Sequence, residues 1–187
     1  MLRQKLSDAY PQYVDPEPRC WMATRAGGVL GKISFLYLSF TEYLIILGCP
    51  ARTNGFSGRY NFMEIYEFVL SGKVTTCDLE TDQISPSIYL PGDYSLLEKG
   101  HAATIEIDSG SWMLEYGRGP NITAMPFGLM DTLISNVDSK PLRMTAAEYI
   151  RFVIRDVNAP PAKASGFGLR LEAGSIGHSA DCCRYTT

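Results

Sequence analysis

From Ile65 onward, apolar and polar positions alternate with a period of two. Ile65, Glu67 and Val69 fall on one side, and Tyr66, Phe68 and Leu70 on the other, the spacing of a β-strand. Gly72 interrupts the run, and residues Lys73 to Cys77 resume it. Ile88-Tyr89-Leu90 predicts a short strand closed by the turn Pro91-Gly92-Asp93. Further strands are predicted over Tyr94–Leu97, Ala103–Ile107, Ser111–Tyr116 and Phe127–Ile134. Many short strands at close spacing predict a sandwich or small barrel.

The flanks read differently. Residues 1–19 predict an extended arm, because Pro11, Pro16 and Pro18 break a helix. From Trp21 to Leu47 the pattern predicts helices, interrupted at Gly27-Gly28, and a loop follows from Gly48 to Gly58. The apolar stretch Val29–Gly48 carries Lys32 and Glu42, so it reads as a buried helix rather than a membrane span. Thr145–Val157 places Ala146, Tyr149, Ile150, Val153 and Val157 at helical spacing, with Arg151 and Arg155 elsewhere. Such an amphipathic helix packs on the barrel or lies on a membrane surface. A linker from Ala159 to Ser165, a short helix over Gly166–Ala173 and a loose polar tail complete the chain. The expected organisation is an arm at 1–19, a β-rich unit at 20–140 and a helical segment with a tail at 141–187.

Composition narrows the function. The 187 residues are 45% hydrophobic and 20% charged, with a net charge of −3. A sizeable core follows, and the acidic balance argues against nucleic-acid binding. Eleven Tyr and eight Phe suit either an apolar pocket or a plain core. The five cysteines lack a CxxC spacing, and the histidines, His101 and His178, are far apart. No metal and no cofactor are expected. The N-terminus has the pattern of neither a signal peptide nor a transmembrane span.

Two glutamates interrupt apolar strands. Glu67 shares its side with Ile65 and Val69, and Glu115 shares its side with Met113. A carboxylate on a buried face is costly, and burial raises its pKa. Two such groups in one cavity would share a proton and provide both a general acid and a general base. On solvated faces the same residues would be ordinary surface charges, and the pattern alone does not bring them together. Tyr60 and Tyr116 read as pocket lining or as core. Arg59 and Arg118 would orient a substrate oxygen or satisfy local acceptors, with structure the favoured reading. Glu42 and Asp131 read as structural, His101 as part of an exposed turn, and Trp112 as facing away from the lumen.

Several blocks resemble the sterol Δ8–Δ7 isomerase and sigma non-opioid receptor family. They are Trp21 with Arg25-Ala26-Gly27-Gly28-Val29-Leu30-Gly31, Ser39-Phe40-Thr41-Glu42-Tyr43, and Gly55-Phe56-Ser57-Gly58-Arg59-Tyr60. Leu90-Pro91-Gly92-Asp93 and Trp112-Met113-Leu114-Glu115-Tyr116-Gly117-Arg118-Gly119 follow, then Asp131-Thr132 and Gly168-Leu169-Arg170-Leu171-Glu172. The block around Glu115 is the most specific, and the order holds from about residue 20 to 173. The resemblance implies a mainly β, cupin-like barrel with flanking α-helices. It matches Glu115 to the family's principal pocket carboxylate and Glu67 to its second acid, with Glu64 close by. Substrate contacts are expected at Tyr60, Tyr116, Met113, Ile65, Val69 and Leu97. The resemblance further implies a double-bond-shifting isomerase acting on a hydrophobic sterol or terpenoid. A terpenoid cyclase using the same acids and a non-catalytic binder of cationic amphiphiles are the alternatives. A homo-oligomer and peripheral membrane contact, in the cytoplasm or at the endoplasmic reticulum, are implied as well. Leu97 and Phe56 stand where the family has histidines, which leaves more of the proton transfer to the glutamates. The membrane-spanning N-terminus typical of the receptor has no counterpart in residues 1–19.

Overall fold

Gly27 and Gly28 both have positive φ, 59° and 93°, the conformation of a two-residue hairpin turn that splays neither flanking strand. The turn joins β1 (Met22–Ala26) to β2 (Val29–Leu38). β3 (Glu42–Cys49) then pairs antiparallel with β2. The segment expected to be helical is therefore three strands. Its apolar run lacks alternation because β2 and β3 are covered on both faces, as buried strands often are.

The computed structural model describes residues 2–157 except 12, 15, 18, 19, 132, 133 and 135–138. Among the described residues, ten strands form two antiparallel sheets. The remaining strands are β4 (Thr53–Phe56), β5 (Glu64–Ser71), β6 (Val74–Asp78), β7 (Pro86–Tyr89), β8 (Tyr94–Leu97), β9 (Ala103–Ile107) and β10 (Ser111–Arg118). One sheet has the order β1-β2-β3-β10-β5-β8, and the other β4-β9-β6-β7. The predicted strands from residue 65 to 116 are present, within a residue or two at their ends. β4 lies in the stretch expected to be loop. The strand expected from Phe127 does not form: α2 covers Met125–Met130, and residues 132 and 133 of that expected strand lie outside the described residues.

The helices complete the mainly β fold. α1 (Leu2–Ala9) replaces the expected extended arm, since the prolines begin only after it. Leu2, Leu6 and Tyr10 pack on the outer face of the large sheet, against Leu36, Leu44, Ile46, Phe68 and Leu114. Arg3 anchors α1 by donating to Ser34 Oγ (2.9 Å) and the Phe35 carbonyl (3.0 Å). α3 (Ser139–Val157) covers the inner face of β1–β3, where Phe152 packs with Met22, Phe35, Leu38 and Ile45. Of the positions expected to pack, Tyr149 does so, whereas Ile150 and Val157 are exposed together with Ile154. The expected helix over 166–173 and the tail cysteines lie outside the described residues.

The sheets meet over a second apolar cluster. Leu47, Cys49, Val69 and Met113 of the large sheet contact Val74, Ile105 and Ile107 of the small one. One end of the interior is thus closed by sheet-on-sheet packing and another by α3. Buried at roughly 25 cal/mol per Å², such side chains supply most of the folding drive.

Candidate active site

The site begins with strand register. β10 lies between β3 and β5, and Glu115 is directly opposite Glu67 on β5 and Ile45 on β3. Side chains directly opposite in an antiparallel pair stand about 5 Å apart at Cβ, so the two carboxylates share one inner-facing patch. Met113 and Val69, opposite each other, lie on its floor side. Ile65 is buried, and half-buried Leu97 lies opposite it on β8. Glu67 and Glu115 keep intermediate exposure although protein surrounds both. That combination fits groups lining an interior space rather than filling a core.

Each carboxylate has its own hydroxyl. Tyr43 donates to Glu115 Oε1 at 2.5 Å, and Ser95 donates to Glu67 Oε2 at 2.9 Å. Gly117 makes the first contact possible. It lies directly opposite Tyr43, and a Cβ added there would meet the tyrosine ring at 2.1 Å. The ring therefore crosses the glycine to reach the glutamate one diagonal step away.

Electrostatics follow from this enclosure. Burial first, then the Glu115 charge, raises the Glu67 pKa from 4.5 to about 7, with the Ser95 bond opposing. Burial also raises Glu115, against the pull of the Tyr43 bond. Tyr43 is pushed well up by burial and by Glu115. Tyr60 is raised by burial, then by Glu115 and Glu67, which places its phenol within electrostatic reach of both. Its ring packs edge-on against Phe127 (5.6 Å between centroids), and Phe127 also meets Phe56 (6.2 Å). An aromatic wall therefore adjoins the acids. Two facing carboxyls that are both raised titrate as a coupled pair rather than as independent groups.

Tyr116 is a correction. Strand alternation turns it to the outer face, where it joins the cluster beneath α1 and donates to Glu42 Oε1 at 2.8 Å. It does not face Glu115's interior. Glu42 is structural on that outer face, only 4% exposed. Arg59 pairs with Glu80 (2.7 Å) and donates to the Gly100 carbonyl, and Arg118 sits in register between Glu42 and Glu64. Asp131 accepts from the Gly28 N–H at 3.3 Å, tying the end of α2 to the β1–β2 turn. Trp112 lies outside the lumen as expected, edge-on to Trp21.

Tyr43 and Ser95 are the residues that pattern reading missed. Assigning residues 41–47 to a helix hid the period-two row Tyr43, Ile45, Leu47, Cys49 that shares the face of Glu115. Ser95 carried a signal: a hydroxyl between apolar neighbours in the strand predicted over Tyr94–Leu97.

The chain is similar to several known proteins. The family model described as "ERG2 and Sigma1 receptor like protein" matches residues 1–159. Sigma non-opioid intracellular receptor 1 of Gallus gallus is 34% identical over 156 residues, 83% of this chain and 69% of that protein. Protein erg2 homolog of Dictyostelium discoideum is 33% identical over 140 residues, 75% of this chain and 58% of that protein. Among solved structures, KdgF from Halomonas sp. gives a TM-score of 0.43 at 10% identity, over 57% of this chain and 94% of that one. The Schizosaccharomyces pombe Cnp3 cupin domain gives 0.42 at 10% identity, over 49% and 66%.

Proposed function

The chain belongs to the ERG2 and Sigma1 receptor like protein family, and from that premise we propose that it shifts a double bond in a hydrophobic sterol or terpenoid. The observation that carries the reading is the register placing Glu67 directly opposite Glu115, each held by a separate hydroxyl. The protonated member gives its proton to one alkene carbon, and the π electrons form the new C–H bond. The adjacent carbon becomes a carbocation. The ionised member then removes a proton from the next carbon, and that C–H pair forms the new double bond. The pair ends with the same proton count. Enclosed carboxylate charge and the rings of Tyr43, Tyr60 and Phe127 stabilise the cation. Ile65, Val69, Leu97 and Met113 provide apolar contacts to the substrate's hydrocarbon body. Cyclisation is a variant in which a second alkene of the substrate attacks the cation before deprotonation.

A second reading rests on the same pair. A dyad that has lost one proton is a buried monoanion beside aromatic rings, and it suits a protonated amine as well as a carbocation. On that reading the chain binds cationic amphiphiles without turnover. Among the described residues no helix is long and apolar enough to cross a membrane. The exposed row Ile150, Ile154 and Val157 on α3 supports peripheral contact with a lipid surface; assembly as a homo-oligomer is carried as part of the family reading.

The deciding experiment incubates the protein with sterol and terpenoid alkenes in D2O and reads products by mass spectrometry. Deuterium gained in an isomerised or cyclised product, and lost in Glu67→Gln and in Glu115→Gln, supports proton-transfer catalysis. Unlabelled substrate throughout, with Glu115-dependent binding of a hydrophobic amine, overturns it in favour of the binder.

A further inference from the structure

The two carboxylates are not equivalent, and the difference lies in their hydroxyl partners. Glu115 is held by a phenol on β3, and Glu67 by an aliphatic hydroxyl on β8. Ser95 is 8% exposed and lies directly opposite Glu67 in register. Its same-side neighbours are apolar: Leu97 on its own strand, and Ile65 and Val69 on β5. A hydroxyl buried among such groups is costly unless it is bonded, and its bond goes to Glu67 Oε2. Each carboxyl thus has one oxygen held by a hydroxyl, Glu115 Oε1 by Tyr43 at 2.5 Å and Glu67 Oε2 by Ser95 at 2.9 Å.

These contacts divide the labour. The Tyr43 phenol, aimed at Glu115 Oε1, favours the ionised form of that carboxyl. The Ser95 hydroxyl, a weaker donor on a longer bond, favours the ionised form of Glu67 less, and by occupying Oε2 it fixes the carboxyl plane. The other oxygen remains to carry an exchangeable proton. The geometry points to Ser95 as the positioning residue that presents Glu67 Oε1 as the proton donor, leaving Glu115, held by Tyr43, as the acceptor. The assignment rests on the proton-transfer reading above and adds to it a direction: which acid gives and which takes. Burial and the Glu115 charge hold a proton on Glu67 to about pH 7, in keeping with that order.

The test follows carboxyl carbons by NMR against pH in protein labelled with 13C-glutamate. Glu67→Gln and Glu115→Gln assign the signals. Ser95→Ala removes the hydroxyl, and Ser95→Thr keeps it. The expected result is that the higher midpoint vanishes in Glu67→Gln. In Ser95→Ala that midpoint rises by about one pH unit, the size of one lost bond to a charged acceptor, and Ser95→Thr brings it back. With an active substrate, the alkaline limb of kcat moves by the same amount in the same direction, and KM changes little. An unmoved midpoint in Ser95→Ala, or a higher midpoint that belongs to Glu115, overturns the assignment. The titration is readable without turnover. A protein that turns over nothing but shows the Ser95-dependent midpoint loses the isomerase reading while the hold of Ser95 on Glu67 stands.

Discussion

Replacing Glu67 with Gln is expected to stabilise the protein at alkaline pH while abolishing turnover. The ordinary glutamate value is 4.5, and in the fold Glu67 titrates near 7. Because the folded value lies above the unfolded one, the folded state holds a proton that the unfolded chain has lost between those two pH values. Stability falls as pH rises through that window and is flat on either side. At about 1.4 kcal/mol per pH unit, the window amounts to roughly 3 kcal/mol of destabilisation above pH 7, shared in practice with Glu115. A Gln carries no charge at any pH, and its carbonyl still accepts from Ser95. The variant is therefore expected to gain about 2–3 kcal/mol at pH 8, or roughly 5–10 °C in Tm for a chain of this size. Below pH 4.5 it gains close to nothing. Urea denaturation at pH 4.5 and pH 8, followed by tryptophan fluorescence, measures both. No gain at pH 8, or an equal gain at both values, would refute the claim that an enclosed, repelled carboxylate stands at position 67.

Other perturbations have definite outcomes. Gly117→Ala places a Cβ into the Tyr43 ring and is expected to cost about 1–3 kcal/mol by overcrowding; it should also raise the Glu115 midpoint in a carboxyl titration by displacing the phenol. Tyr43→Phe keeps the ring but removes the donor. It is expected to raise the same midpoint, to lower stability at neutral pH by about 1–3 kcal/mol, and to lower kcat by tenfold or more, read by product formation across pH. Gly27→Ala meets the Phe56 carbonyl oxygen at 2.0 Å at a φ of 59° and is expected to lower the urea midpoint by the equivalent of about 2 kcal/mol or more. Tyr116→Phe, in contrast, leaves Glu42 Oε1 without its phenol on the outer face. It is expected to lower stability by about 1–3 kcal/mol without moving the pH profile of turnover.

The β-rich part of the fold was legible because strands with one polar face write a period of two into the sequence. β5 and β10 show it, and each exposes its glutamate as an interruption of an apolar side. β2 and β3 do not. With α1 and the outer cluster on one face and the inner cluster under α3 on the other, nearly every position is apolar and the alternation disappears. Length and apolarity then resemble a buried helix. The Gly27-Gly28 pair was the corrective signal, since two positive-φ residues between apolar runs mark a hairpin. The same misreading hid Tyr43, whose side is visible only once β3 is a strand. Tyr116 failed for a different reason. It read as pocket lining or as core, and only the core reading fits, because neighbours along a strand face opposite ways and Glu115 takes the inner face.

That opposition explains how one pair of strands builds both a reactive face and a supporting one. β3 and β10 each carry a Glu-Tyr dipeptide, Glu42-Tyr43 and Glu115-Tyr116. The strands run antiparallel with Tyr43 opposite Gly117 and Tyr116 opposite Leu44. Each tyrosine therefore stands one diagonal step from the glutamate of the other strand. Tyr43 reaches Glu115 inward, and Tyr116 reaches Glu42 outward. A slip of one residue in register would turn every side chain to the other face, burying Glu42 toward the interior and removing Glu115 from Glu67. The two exchanges thus hold the register from both sides. The outer one, sealed under α1, adds a bond that takes no part in the chemistry. The inner one leaves a carboxylate beside a second carboxylate on the adjacent strand β5, the arrangement that a stable core avoids and a proton-transfer site requires.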